Sequence, residues 1–197
     1  MNTRSRCHIT DYVERLTGLA RDEARALQKR YLAEHGLTLK GLMIHHGVDP
    51  VHYHASLNDV DLSGLLIDET LAPALQRLPG RRIIFTNADE THARRVLNHL
   101  GLTELFDEVF HIASAAFEPK PAASAFDRII AVHAIDPKAT AFFEDAERNL
   151  EPAAMMGMTT VLVGAHAEAS NAPFVQYRTA ALAPFLAEGR LKESISP

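Results

Sequence analysis

From Leu71 onward the chain alternates short apolar runs with helical segments, and no other property narrows its possible folds so far. Ile83-Ile84-Phe85 runs straight into Thr86, Asn87 and Asp89. A short β-rich run bounded by polar turn residues reads as a buried strand of a parallel sheet. The same texture returns at Val109 to Ala113, Thr140 to Glu144 and Thr159 to Val163. Helical stretches separate these runs: Glu90 to Leu100, Pro121 to His133 and Arg148 to Met156, with Ala72 to Leu78 ahead of the first strand. Such alternation with short links predicts an α/β fold with a Rossmann-like parallel sheet. After Gly164 the pattern weakens to one helix around Ala180 to Glu188 and a polar tail.

Residues 1 to about 57 have a different texture. Thr10 or Asp11 is placed to cap a first helix, and Asp22 a second that stops at Gly36. Leu37 to His46, closed by Gly47, and a segment starting at Asp49-Pro50 make two more. No strand reads in this part. Four short helices bury little core alone, so a small helical unit, 1–57, is expected to pack on a sheet-bearing core, 58–197.

At 47% hydrophobic and 23% charged residues, the composition is that of a globular protein rather than a disordered one. A net charge of −5 gives no electrostatic case for a nucleic acid polymer or an acidic membrane surface. Small anions stay open, because one lysine and a few backbone amides hold a phosphate whatever the net charge. The single cysteine, Cys7, rules out an intramolecular disulfide and fits a reducing cytoplasm. No apolar run reaches 18 residues, and no apolar segment follows the basic residues at the start. A cytoplasmic location is therefore expected.

Three strand ends carry the candidate chemistry, at the edge where open α/β sheets bind ligands. The first ends in Thr86-Asn87, a hydroxyl and an amide. After the second comes Glu118-Pro119-Lys120-Pro121, a lysine held between two prolines just before a helix. The third ends in Glu144-Asp145, with Asn149 shortly after. Adjacent carboxylates are costly unless a cation sits beside them, and Mg²⁺ with its all-oxygen preference is the expected partner. Taken singly, Thr86-Asn87 is an ordinary turn, Lys120 a solvated lysine and Glu144-Asp145 a helix cap. Their order at successive strand ends instead predicts a phosphate site with a metal.

FTNAD, the EPKP lysine and FFEDAERN resemble motifs two, three and four of the haloacid dehalogenase-like hydrolases. The resemblance is closer to the pyrimidine 5′-nucleotidase branch, through IFTNADETHARRVLNHLGL and AFFEDAERNLEPA. LTLKGLMIHHGVDP and YHASLNDVDLSGL are similar to that branch's helical cap and its return to the core. The resemblance covers roughly residues 1 to 165. It implies a Rossmann-like core with a helical cap, Mg²⁺, and hydrolysis of a phosphate monoester such as a nucleoside monophosphate. By position it makes Thr86 and Asn87 phosphate-binding, Lys120 a neutraliser of phosphate and nucleophile charge, Glu144 and Asp145 metal ligands, and Asn149 a support for that loop.

The family opens with a strand ending in DxDxT, whose first Asp attacks phosphorus and whose second acts as general acid and base. That strand lies centrally, between the Thr86 strand and the Glu144-Asp145 strand. Here the chain begins in what resembles the first cap helix. Asp59-Val60-Asp61 has the spacing but no apolar run before it, and Asp68-Glu69 reads as a helix start. The core is thus expected to lack its first strand and the nucleophile, with the true start upstream of Met1. The alternative is a catalytically dead phosphate-binding or interaction protein on the same scaffold. Without a central strand, two rows of backbone donors and acceptors are left over. The flanking strands would then pair directly, or another chain would fill the gap.

His45, His46, His52 and His54 fall within ten residues, but their spacing fits no closed metal site. They are expected to be ordinary residues of the helical unit near a substrate mouth.

Overall fold

The computed structural model describes residues 3–57, 60–189 and 191; Asp59 lies outside these, as does the side chain of Cys7. The first 57 residues give four helices: α1 (Thr3–Thr17), α2 (Arg21–His35), α3 (Thr38–His46) and α4 (Pro50–Ala55). Asp49 caps α4 as its Asp-Pro sequence suggests, its carboxylate accepting from the amides of Val51 and His52. Two starts differ from expectation. Helix α1 runs through Thr10 and Asp11, because no breaking residue precedes them. Helix α2 begins beyond Ala20, whose amide donates to the Glu23 carboxylate, so Asp22 lies in its first turn.

These helices share one apolar cluster built on Tyr12, Val13, Tyr31, Leu39, Leu42 and Tyr53. Helices α2 and α3 meet closely because position 41 is glycine; a Cβ there would stand 2.4 Å from Cγ of Tyr31. Two buried polar side chains, Thr10 and Gln28, share a 2.6 Å hydrogen bond.

The remainder alternates as α5 (Leu71–Gln76), β1 (Ile83–Phe85), α6 (Glu90–His99), β2 (Glu108–Phe110), α7 (Ala123–His133), β3 (Ala141–Glu144), α8 (Leu150–Met155), β4 (Thr159–Val163), β5 (Tyr177–Thr179) and α9 (Leu182–Ala187). All strand pairs are parallel. Strand β5 lacks an apolar run and gave no sequence signal; it pairs with β4 through Val161–Tyr177, Leu162–Arg178 and Val163–Thr179.

The strands form two ladders rather than one: β1–β2, and β3–β4–β5. Direct pairing of β1 with β3 does not occur. The two strands instead meet through side chains, with the Phe85 and Phe142 rings 6.0 Å apart and Phe126 packed against both. Every residue of β1 and β3 is only half-buried, whereas β4 is buried from Thr159 to Leu162. No helix among the described residues is long and apolar enough to cross a membrane.

Candidate active site

The turn after β1 and the loop after β2 are locked by a reciprocal pair of bonds. The Asn87 amide donates to the Lys120 carbonyl at 3.2 Å, and the Lys120 N–H donates to Asn87 Oδ1 at 2.8 Å. Asn87 thus positions Lys120. Thr86 Oγ1 accepts from the Ala88 amide at 3.0 Å, which leaves its own hydroxyl hydrogen to donate.

The ammonium of Lys120, 8% exposed, sits at the junction of the two ladders. It donates 2.8 Å to the Phe85 carbonyl, the last residue of β1, and 2.6 Å to Glu144 Oε2, the last of β3. It also lies 5.0 Å from the Phe85 ring centre and 5.3 Å from that of Phe142, where ring quadrupoles favour a cation. Two of its three donors are used, so one is left for an anionic ligand.

Sequence reasoning gave Glu144 and Asp145 jointly to a metal. The structure divides them. Glu144 spends Oε2 on Lys120, and its Oε1 accepts from the amides of Asp145 at 3.2 Å and Ala146 at 3.1 Å. Its side chain is 7% exposed, and burial without Lys120 would leave a costly unpaired charge. Asp145 is exposed; its carbonyl accepts from His166 Nε2 at 2.8 Å, while its carboxylate has no partner among the described residues. One turn later Asn149 is buried with Oδ1 unpaired. No group of three or more His, Cys, Asp or Glu side chains is placed for a metal among the described residues. The donors present, one free carboxylate and one orphaned amide oxygen, suit Mg²⁺, which keeps several waters and uses one or two carboxylates plus substrate phosphate.

The four histidines disperse. His45 stacks on Tyr31 at 5.1 Å, His46 Nε2 is 2.9 Å from the Tyr31 hydroxyl, and His52 Nδ1 is 3.4 Å from that of Tyr12. His54 alone reaches the core, its Nδ1 3.3 Å from Asp89 Oδ2. Burial works against the charge on Asp89, but the His54 ring and the His92 amide outweigh it and hold the carboxyl at about 2. Burial lowers the pKa of the His92 ring itself. Lys40 and Glu118 form a second tie between helical unit and core, with both carboxylate oxygens 2.7 Å from Nζ.

A cavity of about 280 Å³ lies between α4 and the core, lined by His54, Asp89, Glu90, His111, Ile112 and Phe117 among others. Sequence reasoning noted Asp89 at the end of the first strand without giving it a role, and passed over His111. His111 follows the last residue of β2 directly, but the apolar run suggested a strand as far as Ala113 and so placed His111 within it, away from the carboxyl end where ligands gather.

The family model for the haloacid dehalogenase-like hydrolases matches residues 9–157. Phosphate metabolism protein 8 of Saccharomyces cerevisiae is 28% identical over 170 residues, taking in 78% of this chain and 53% of that protein. The chain therefore spans about half the length of that relative. Among solved structures, the HAD phosphatase of Thermococcus onnurineus superimposes with a TM-score of 0.56 at 20% identity, covering 94% of this chain and 86% of that one. YfnB of Bacillus subtilis, bound to magnesium, gives 0.52 at 16% identity, covering 100% and 85%. At these identities the two structures speak for the fold alone.

Proposed function

The chain belongs to the haloacid dehalogenase-like hydrolases, and from that premise we propose that it is a Mg²⁺-dependent hydrolase of phosphate monoesters, its substrate a nucleoside monophosphate. The observation that carries the reading is the buried ammonium of Lys120, held by the Phe85 carbonyl and Glu144 at the strand ends with one donor to spare, on a residue whose backbone Asn87 fixes. Phosphoryl transfer asks a protein mostly for positioning and charge neutralisation, and this cluster offers both. Thr86 donates its hydroxyl to one phosphoryl oxygen and Lys120 its remaining N–H to another. Asp145 is the carboxylate for Mg²⁺, with Asn149 beside it. When bound, Mg²⁺ supplies positive charge against the phosphoryl oxygens. The helical unit of residues 1–57 acts as the cap over a core of 58–197.

The reaction also needs an attacking carboxylate. By the family resemblance it belongs on a strand between β1 and β3, and among the described residues no strand lies there. The half-buried apolar side chains of β1 and β3 and their unpaired edges suit an inserted strand. The same observations support a second reading. With the Lys120 charge already met by Glu144, the chain would bind phosphate without hydrolysing it, as a catalytically dead relative.

Release of inorganic phosphate from a nucleoside monophosphate, with and without Mg²⁺, decides between the two. The hydrolase gives Mg²⁺-dependent release that falls at least about a hundredfold in Asp145→Asn, the scale expected when a group stabilising transition-state charge is lost. Release indifferent to both Mg²⁺ and Asp145 sinks the proposal. Phosphate binding without release selects the second reading.

A further inference from the structure

The cavity under α4 contains two imidazoles with the same unusual arrangement. His54 Nδ1 faces the Asp89 carboxylate at 3.3 Å, and its Nε2 is buried without a partner. His111 Nε2 faces the Glu90 carboxylate at 3.5 Å, and its Nδ1 is likewise buried without a partner. Each ring turns one nitrogen toward a carboxylate, and those carboxylates are neighbours in sequence. A carboxylate fixes the tautomer by drawing the N–H toward itself, so in the neutral ring the other nitrogen is a hydrogen-bond acceptor. A buried polar atom left unpaired is costly, and both rings belong to residues that line one cavity, where a small turn of either ring would offer its free nitrogen to a ligand.

The rest of the lining sets the ligand's body. Ile112 and Phe117 make an apolar surface, and Phe117 holds a backbone φ of 60°, a conformation disfavoured for a bulky residue. Its side chain also packs against the apolar cluster of the helical unit. A volume of about 280 Å³ is at the lower end for small-molecule pockets, roughly 300 Å³. The cavity takes a flat, mostly apolar group with hydrogen-bond donors at its edge. The turn carrying Asp89 and Glu90 is the one that carries Thr86 and Asn87. Thr86 and Asp89 are separated by at most about 10 Å of chain.

We propose that His54 and His111 are specificity-determining residues that hold the organic half of the substrate, a heterocyclic base, while Thr86 and Lys120 hold its phosphate. This rests on the phosphate-ester reading above, and the test separates the two. The probes are uridine and cytidine, which lack phosphate, and inorganic phosphate with Mg²⁺, each followed by NMR of the histidine ring Cε1–H signals in the whole chain. At least one nucleoside is expected to move the His54 and His111 signals and leave those of His35 and His45 in place. His54→Ala and His111→Ala are each expected to weaken that nucleoside about tenfold, the scale of one lost hydrogen bond, and to leave inorganic phosphate binding unchanged. His54→Gln serves where the alanine variant does not fold, and the wild-type signals decide without any variant. If neither nucleoside moves either histidine, the proposal is overturned, whatever phosphate does. If a nucleoside binds there and inorganic phosphate binds nowhere, the pocket stands and the phosphate-ester reading falls.

Discussion

Strands β1 and β4 are made of similar material and end in opposite circumstances. Strand β4, Thr-Thr-Val-Leu-Val, pairs on both sides, with β3 and with β5, and is buried over four of its five residues. Strand β1, Ile-Ile-Phe, is the more apolar of the two, yet among the described residues it pairs only with β2, and each of its residues keeps partial exposure. An apolar strand asks to be covered on its faces and paired at its edges, and its sequence does not say what does either. In β4 the chain itself supplies both. At β1 the open edge adjoins β3, and a side chain, the Lys120 ammonium, makes the connection that a ladder makes elsewhere.

If Lys120 is that connection, removing it does more damage than a deletion within the complete ladder. Lys120→Ala leaves Glu144 buried and unpaired and is expected to cost about 4 kcal/mol in urea unfolding. Lys120→Met with Glu144→Gln together should recover part of this, since no charge is then left alone. A loss under about 1 kcal/mol for the single change would break the comparison. Next in size, Leu162→Ala in β4, where the side chain is fully buried, should cost about 3 kcal/mol. Ile84→Ala in β1, half-buried, should cost about 1 kcal/mol. Equal losses would mean that β1 is as well covered as β4.

The last test concerns the tie between helical unit and core. The folded pKa of Asp89, about 2, lies below the ordinary carboxylate value. Its stabilisation is therefore present above about pH 4 and is lost as pH falls toward 2. Thermal melts of wild type and Asp89→Asn should differ at neutral pH and converge by about pH 2; a constant difference would rule out the His54–Asp89 contact as its source.

Much of the site was legible because parallel strands are short, apolar and abruptly ended. Thr86 and Asn87 follow such a run and Glu144 closes another, and the structure joins Asn87 and Glu144 through Lys120 from the loop after β2. Their division of labour was not legible. Glu144 pairs with Lys120 across 24 residues, and Asp89 with His54 across 35, so no local pattern records either contact. Strand β5 escaped notice for a related reason: Tyr177-Arg178-Thr179 lies at an edge, where one paired side suffices and no apolar run is required. The start of α1 was placed too late because Thr10 has the chemistry of a cap, while Gln28 takes its hydroxyl hydrogen.

Lys120 holds Phe85 at the end of one ladder and Glu144 at the end of the other. A single ammonium therefore answers both to the anion it would bind and to the seam it closes. An anion strong enough to draw it from Glu144 would release a carboxylate into the site and loosen the contact between two halves of the molecule. Occupancy at the strand ends and the cohesion of the sheet are then two readings of one equilibrium, so a ligand's arrival should be detectable in amide exchange along β1 and β3, not only at the residues it touches.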